Sequence, residues 1–280
     1  MGGKVLPESW RSRWKMRFHI ISVIGKRDFL ISFRTFWFYG ALLLSLLIAS
    51  FSIASYLAYV EQNGLLVIKN PLFPPLIIVT LVGAGYLGLW AAISMATERI
   101  RGTLEVLFYG PVDVISFILG KSLGLFGVYP LIMLGWTLYI FYASLITRLP
   151  LPEHLPLILL LSSGLVLDVI GFGALLSVLL NSIRSTALMS IAIFGLSLAI
   201  PLGEPFWLEW VAYPIRQQLS SILALIRWIS PFTYLWQGLL AIEVGDFTSY
   251  AFNLFAGMIY AGFALGLACY SLRRKGVRRP

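Results

Sequence analysis

The sequence predicts an all-α integral membrane protein with six transmembrane helices, and three observations carry that prediction. The 280 residues are 59% hydrophobic and only 12% charged, about half of the roughly 25% that a soluble domain carries. Long uncharged runs recur along the chain, and about 20 apolar residues suffice for a helix to cross a bilayer's hydrocarbon core. The 21 lysines and arginines gather in short segments between those runs, where basic residues set orientation. The net charge of +9 therefore points to a lipid bilayer and not to nucleic acid.

Residues 1–34 read as a basic cytoplasmic arm. Trp10, Trp14, Phe18 and Ile21 recur at helical spacing, which predicts an N-terminal interfacial helix with Arg17 interrupting its apolar stripe. The alternative is a solvated tail attracted to anionic lipids by charge alone. The apolar run that follows is too long for the core of a cleavable signal, and no small-residue cleavage site follows it. The transmembrane domain is expected over residues 35–272, with spans near 36–60, 73–97, 114–147, 156–182, 185–203 and 249–272, then a basic cytoplasmic tail at 273–280.

Six spans place both termini on one face, and that face receives 17 of the 21 basic residues, leaving only Lys69, Arg148, Arg216 and Arg227 opposite. By the positive-inside rule that face is cytoplasmic, which makes this a multi-pass protein of the cell membrane. A seventh span within Ser220–Val244 would carry the basic tail to the wrong side. Residues 204–248 are therefore expected as an external, largely helical re-entrant region before the last span. Its Trp207, Trp210, Tyr213, Trp228, Tyr234 and Trp236 suit an interfacial depth.

Several chemistries are disfavoured. The single cysteine, Cys269, can form no intramolecular bridge, and neither His19 nor His154 has a partner at metal-ligand spacing. Gly120-Lys121-Ser122 resembles the end of a phosphate-binding loop, but that motif needs a glycine where Ile115 stands. The chain is thus expected to bind no cofactor and to lack an ATPase site. Asp168 is the lone charge of the 155–183 run. Such a carboxyl either serves substrate passage or ties two spans together. Gly83, Gly85, Gly88, Gly120, Gly124, Gly262 and Gly266 permit close helix packing in lipid.

The most informative polar segment runs from Thr97 to Asp113. A continuous helix over Glu98–Phe108 would set Glu98, Arg101 and Glu105 on one face and Leu104, Leu107 and Phe108 on the other. Gly110 and Pro111 would then end it. An amphipathic helix of this kind is a docking element. The run Glu98, Arg99, Arg101, Gly102, Thr103, Leu104, Glu105, Leu107, Pro111, Val112, followed by Gly120 and Lys121, resembles the segment between the second and third spans of type-two ABC exporter permeases. Ser230-Pro231-Phe232-Thr233-Tyr234 is similar to the element those permeases carry before their last span. Ile100 and Asp113 depart from the pattern.

The resemblance implies a permease subunit of an ABC transporter, exporting its substrate and driven by a separate ATPase subunit that uses ATP. It implies that Glu98–Phe108 is the cytoplasmic coupling helix, with Arg99, Arg101 and Glu105 as charged contacts and Gly102 allowing close approach. Lys26, Arg27 and Asp28 would belong to a connector helix that also touches the ATPase. The permease would work as a homodimer or as a heterodimer with a similar chain. An ATP-independent secondary carrier or channel is the alternative.

Overall fold

The computed structural model describes residues 8–63, 70–110, 112–209 and 228–275, with side chains for 14–62, 70–110, 112–199 and 228–274. Pro111, Lys69, Arg216, Arg227, the final residues 276–280 and the rings of Trp10, Trp207, Trp210 and Tyr213 lie outside them. The described residues form helices only: α1 (Glu8–Arg34), α2 (Phe36–Asn63), α3 (Phe73–Ile100), α4 (Thr103–Tyr109), α5 (Val114–Thr147), α6 (Leu155–Leu179), α7 (Ile183–Glu209), α8 (Pro231–Val244) and α9 (Phe247–Lys275).

Five of these helices, α2, α3, α5, α6 and α9, are long and apolar enough to cross a membrane. The predicted fifth span falls in α7, whose side chains are described only as far as Ala199, and the stretch Ile183–Ala199 is apolar.

The helices pack through small residues, because the lipid on their outer faces is as apolar as their own side chains and close backbone contact must hold them. A Cβ added at Gly173 of α6 would stand 2.3 Å from the carbonyl oxygen of Gly88 in α3. Leu76, Val79 and Leu87 of α3, Trp136 of α5, Leu165 and Val169 of α6 and Leu239 of α8 fill the core. The opposite faces expose Leu43, Leu47 and Phe51 on α2 and Phe255, Ile259 and Phe263 on α9. Exposed leucine and phenylalanine rows suit a hydrocarbon solvent.

Helix α1 packs on the bundle by a face other than the predicted aromatic stripe. Its buried side is Ile20, Ile24, Asp28 and Ser32, which seats it along the first half of α5, while Trp14 and Phe18 of the predicted stripe stay exposed. The reason is steric: Gly25, Gly120 and Gly124 face one another. A Cβ at Gly124 would fall 2.5 Å from the Gly25 carbonyl oxygen, and one at Gly120 would fall 2.9 Å from Ile24 Cβ.

Helix α8 begins deep in the bundle. Ser230 Oγ donates to the Ser197 carbonyl at 2.8 Å, and Tyr260, midway along α9, donates from its hydroxyl to the Ile229 carbonyl at 3.0 Å. From there α8 runs toward the start of α9, where Asp246 caps that helix by accepting from the amides of Thr248 and Ser249, each at 3.1 Å.

Candidate functional site

The polar chemistry gathers where α1, α3, α4, α5 and α6 meet at one end of the bundle. The predicted continuous helix over Glu98–Phe108 is two helices. Arg101 and Gly102 form a turn, and Gly102 sits at φ 74°, the left-handed region that glycine enters without steric cost. Glu98, Arg101 and Glu105 therefore do not share a helical face. Glu98 and Arg99 belong to α3, and Glu105 belongs to α4.

The two α3 charges turn inward. Arg99 donates from Nη1 to the Val178 carbonyl at 2.8 Å and from Nη2 to the Leu180 carbonyl. It thereby satisfies carbonyls at the C-terminal end of α6, where a cation also complements the helix dipole. Glu98 joins a closed ring of four charges. Its Oε1 lies 3.0 Å from Lys121 Nζ on α5 and 2.7 Å from Arg27 Nη2 on α1. Lys121 Nζ lies 3.0 Å from Asp28 Oδ2, and Asp28 Oδ1 accepts from Arg27 Nε at 2.9 Å.

The ring alternates in sign and sums to zero. Its Lys121 side chain is only 2% exposed and Asp28 7%, so the pairing compensates charges that would otherwise be costly to bury. Partial burial of Arg27 works against its charge, but the hydrogen bonds and negative charges of Asp28 and Glu98 outweigh it and hold its pKa above the ordinary value. The ammonium of Lys121 also lies 5.6 Å from the centre of the Phe117 ring, within cation–π range. Lys26, next to Arg27 on α1, is exposed.

Helix α4 rests on an apolar cluster. Leu104 is buried among Met95, Phe117, Ile118, Val178 and Leu272, with Leu107 and Phe108 packed against the same cluster. The rings of Phe108 and Phe117 meet edge to face at 6.0 Å. The apolar face predicted for Leu104, Leu107 and Phe108 thus does pack on the protein. Thr103 Oγ1 donates to the Glu98 carbonyl at 2.8 Å and ties the turn. The outward face is not the charged one expected: Val106 is 72% exposed and Tyr109 92%, beside exposed Ile100 and Arg101. Beyond α4, Asp113 caps α5 by accepting from the Ser116 amide at 3.4 Å and pairs with Arg17 of α1 at 3.3 Å.

Two other predicted positions lie away from this end. Asp168 of α6 is fully buried beside Gly257 of α9, where an added Cβ would stand 3.1 Å from Oδ2. Among the described residues neither of its carboxyl oxygens has a hydrogen-bond partner. Ser230, Pro231 and Tyr234 build the buried corner that starts α8. The Tyr234 hydroxyl donates to the Trp228 carbonyl at 2.9 Å, and its ring lies 6.0 Å from that of Tyr260.

Lys121 is the residue that sequence reasoning undervalued, since it stood out only within Gly-Lys. A usable signal was present: Asp28, Glu98 and Lys121 each flank an apolar run, so three neighbouring helices place their charges at one depth.

Among curated proteins, none matches the sequence. The profile of the ABC-2 family transporter proteins matches residues 59–270, the stretch from the end of α2 to α9 that contains α4, Lys121, Asp168 and the α8 corner. A multi-pass helical membrane protein with a short helix braced at one end is thus matched over most of its length, and the chain belongs to the ABC-2 transporter family as a membrane subunit of an ABC transporter.

Proposed function

We propose that this chain is the permease of an ABC exporter in the cell membrane, with both termini cytoplasmic, and that a separate ATPase subunit docks on the outward face of α4. The observation that carries this reading is the pairing of two faces on one short helix. Leu104 and Phe108 pin α4 to the bundle, while Val106 and Tyr109 stand free in the direction a soluble partner would approach. Exposed apolar and aromatic side chains beside a cation, here Arg101, suit an anchor for a protein partner.

In this reading the residues have distinct tasks. Arg101, Thr103, Glu105, Val106 and Tyr109 meet the ATPase. Glu98, Arg99 and the Arg27–Asp28 pair act behind them, fixing α4 to α1, α5 and α6 so that a push on α4 reaches several helices together. ATP is bound and hydrolysed by the partner, and this chain supplies no cofactor site. Two such permeases, identical or similar, enclose the substrate path. Helix α8 is the outgoing limb of a re-entrant region on the outer side, completing six spans with α7 as the fifth.

The test is co-purification in mild detergent of the tagged protein and of a Val106→Glu, Tyr109→Glu double variant, with bound proteins identified by mass spectrometry. The expected result is a stoichiometric ABC ATPase with the wild type and its loss from a variant that remains monodisperse. A wild-type protein that purifies without an ATPase and still moves solute in vesicles without ATP would overturn the reading in favour of a secondary carrier.

A further inference from the structure

Helices α6 and α9 meet along small residues. An added Cβ at Gly164 would lie 3.5 Å from Leu254, one at Gly257 3.1 Å from Asp168 Oδ2, and one at Gly171 3.1 Å from the Ala261 carbonyl oxygen. Ala261, Ala264 and Ala268 continue the buried side of α9. Asp168 is the only aspartate or glutamate on either helix, and it is 0% exposed within this contact.

The Ala261 amide approaches the carboxyl, but neither oxygen makes a hydrogen bond of ordinary geometry. Two titratable groups interact with it, Tyr234 of α8 and Tyr260 of α9, and neither carries positive charge. Among the described residues, α3, α5 and α7 bring no charged or titratable group to it. Asp28, Glu98 and Asp113, in contrast, are each matched by an arginine or lysine. Nothing in the α6–α9 contact compensates a carboxylate, whereas a neutral carboxyl needs no counter-charge. The geometry suits the acid form.

We propose that Asp168 is a proton-binding site enclosed by the α6–α9 contact, protonated while the helices are packed and releasing its proton when they part and water reaches it. The contact is then a latch that acid tightens and alkali loosens. Its sign follows from linkage: the packed state holds one proton more than the parted state, so stability falls as pH rises. The fall begins in the ordinary carboxylate range, where parted helices release the proton. It continues until the packed site itself ionises. The latch requires only that α6 pack on α9, so it stands or falls independently of the ATPase reading.

Infrared spectroscopy of the full chain in a maltoside detergent, which has no carbonyl of its own, reads the proton directly. The chain has four aspartates. Asp28 and Asp113 are ion-paired, and Asp246 is the exposed cap of α9. A protonated-carboxyl C=O stretch that moves on carbon-13 labelling of aspartate is therefore expected at neutral pH. Asp168→Asn, which keeps the shape and cannot titrate, should lack it; the labelling identifies the band in the wild type alone, whether or not the variant folds. Thermal midpoints from neutral to alkaline pH then read the latch. The wild type should lose stability relative to Asp168→Asn as pH rises, by at most about tenfold in the folding equilibrium per pH unit, the limit for one proton. Asp168→Ser gives the same comparison with a smaller side chain. Absence of the labelled band at neutral pH, or parallel pH profiles in wild type and variants, would overturn the proposal.

Discussion

Lys121 sits 2% exposed between Asp28 and Glu98, each within 3.0 Å of its ammonium. Lys121→Met keeps the stem volume and removes the charge, leaving two carboxylates close together with only Arg27 to answer them. Breaking a buried pair in this way costs about 3–5 kcal/mol, so a clear fall in thermal midpoint is expected in detergent, followed by size-exclusion chromatography after heating. Adding Glu98→Gln to Lys121→Met should recover part of the loss, because it removes one stranded charge. An unchanged midpoint in the single variant would show that the ring does not hold the helices. Asp168 is the opposite case: its burial was foreseeable from its position in an apolar run, but its neighbour Gly257 lies 89 positions along the chain and no pattern connects them.

Among the elements, α4 separates what helical spacing can and cannot foretell. The apolar side of the segment was legible because Leu104, Leu107 and Phe108 recur at three- and four-residue intervals. The charged side was not, because Gly102 breaks the register at a positive φ and hands Glu98 and Arg99 to another helix. Helix α1 makes the same point with packing. Its aromatic stripe is conspicuous in sequence, yet the contact with α5 is decided by glycines whose partners lie nearly a hundred residues away. Gly124→Ala would place a methyl 2.5 Å from the Gly25 carbonyl oxygen, so α1 and α5 must move apart. Overpacking of this kind costs about 1–3 kcal/mol. Faster amide hydrogen exchange is expected in α1, with α9 unaffected; equal exchange in both proteins would rule out a tight α1–α5 contact.

At the scale of the whole molecule, the distribution of basic residues sets a testable orientation. With cytoplasmic termini, the turn between α6 and α7 faces inward and the start of α9 faces outward. In a Cys269→Ser background, Thr248→Cys should react with a membrane-impermeant maleimide on intact cells. Asn181→Cys should react only after permeabilisation. Both positions are exposed, so the reverse pattern would invert the topology rather than report burial. The same topology places the α4 surface on the inner side.

Membrane residence, helical class and the apolar side of the segment after α3 follow from sequence alone, because hydropathy and periodicity are local quantities summed along the chain. The family was also legible, through a run of residues confined to one loop. The tertiary structure decided which charges face inward, that α1 belongs to the packed bundle, and that α4 shows tyrosine and valine outward. Those features arise from side chains distant in sequence and adjacent in space, and the α1–α5 contact depends on backbone approaches of a few ångströms between glycines on different helices.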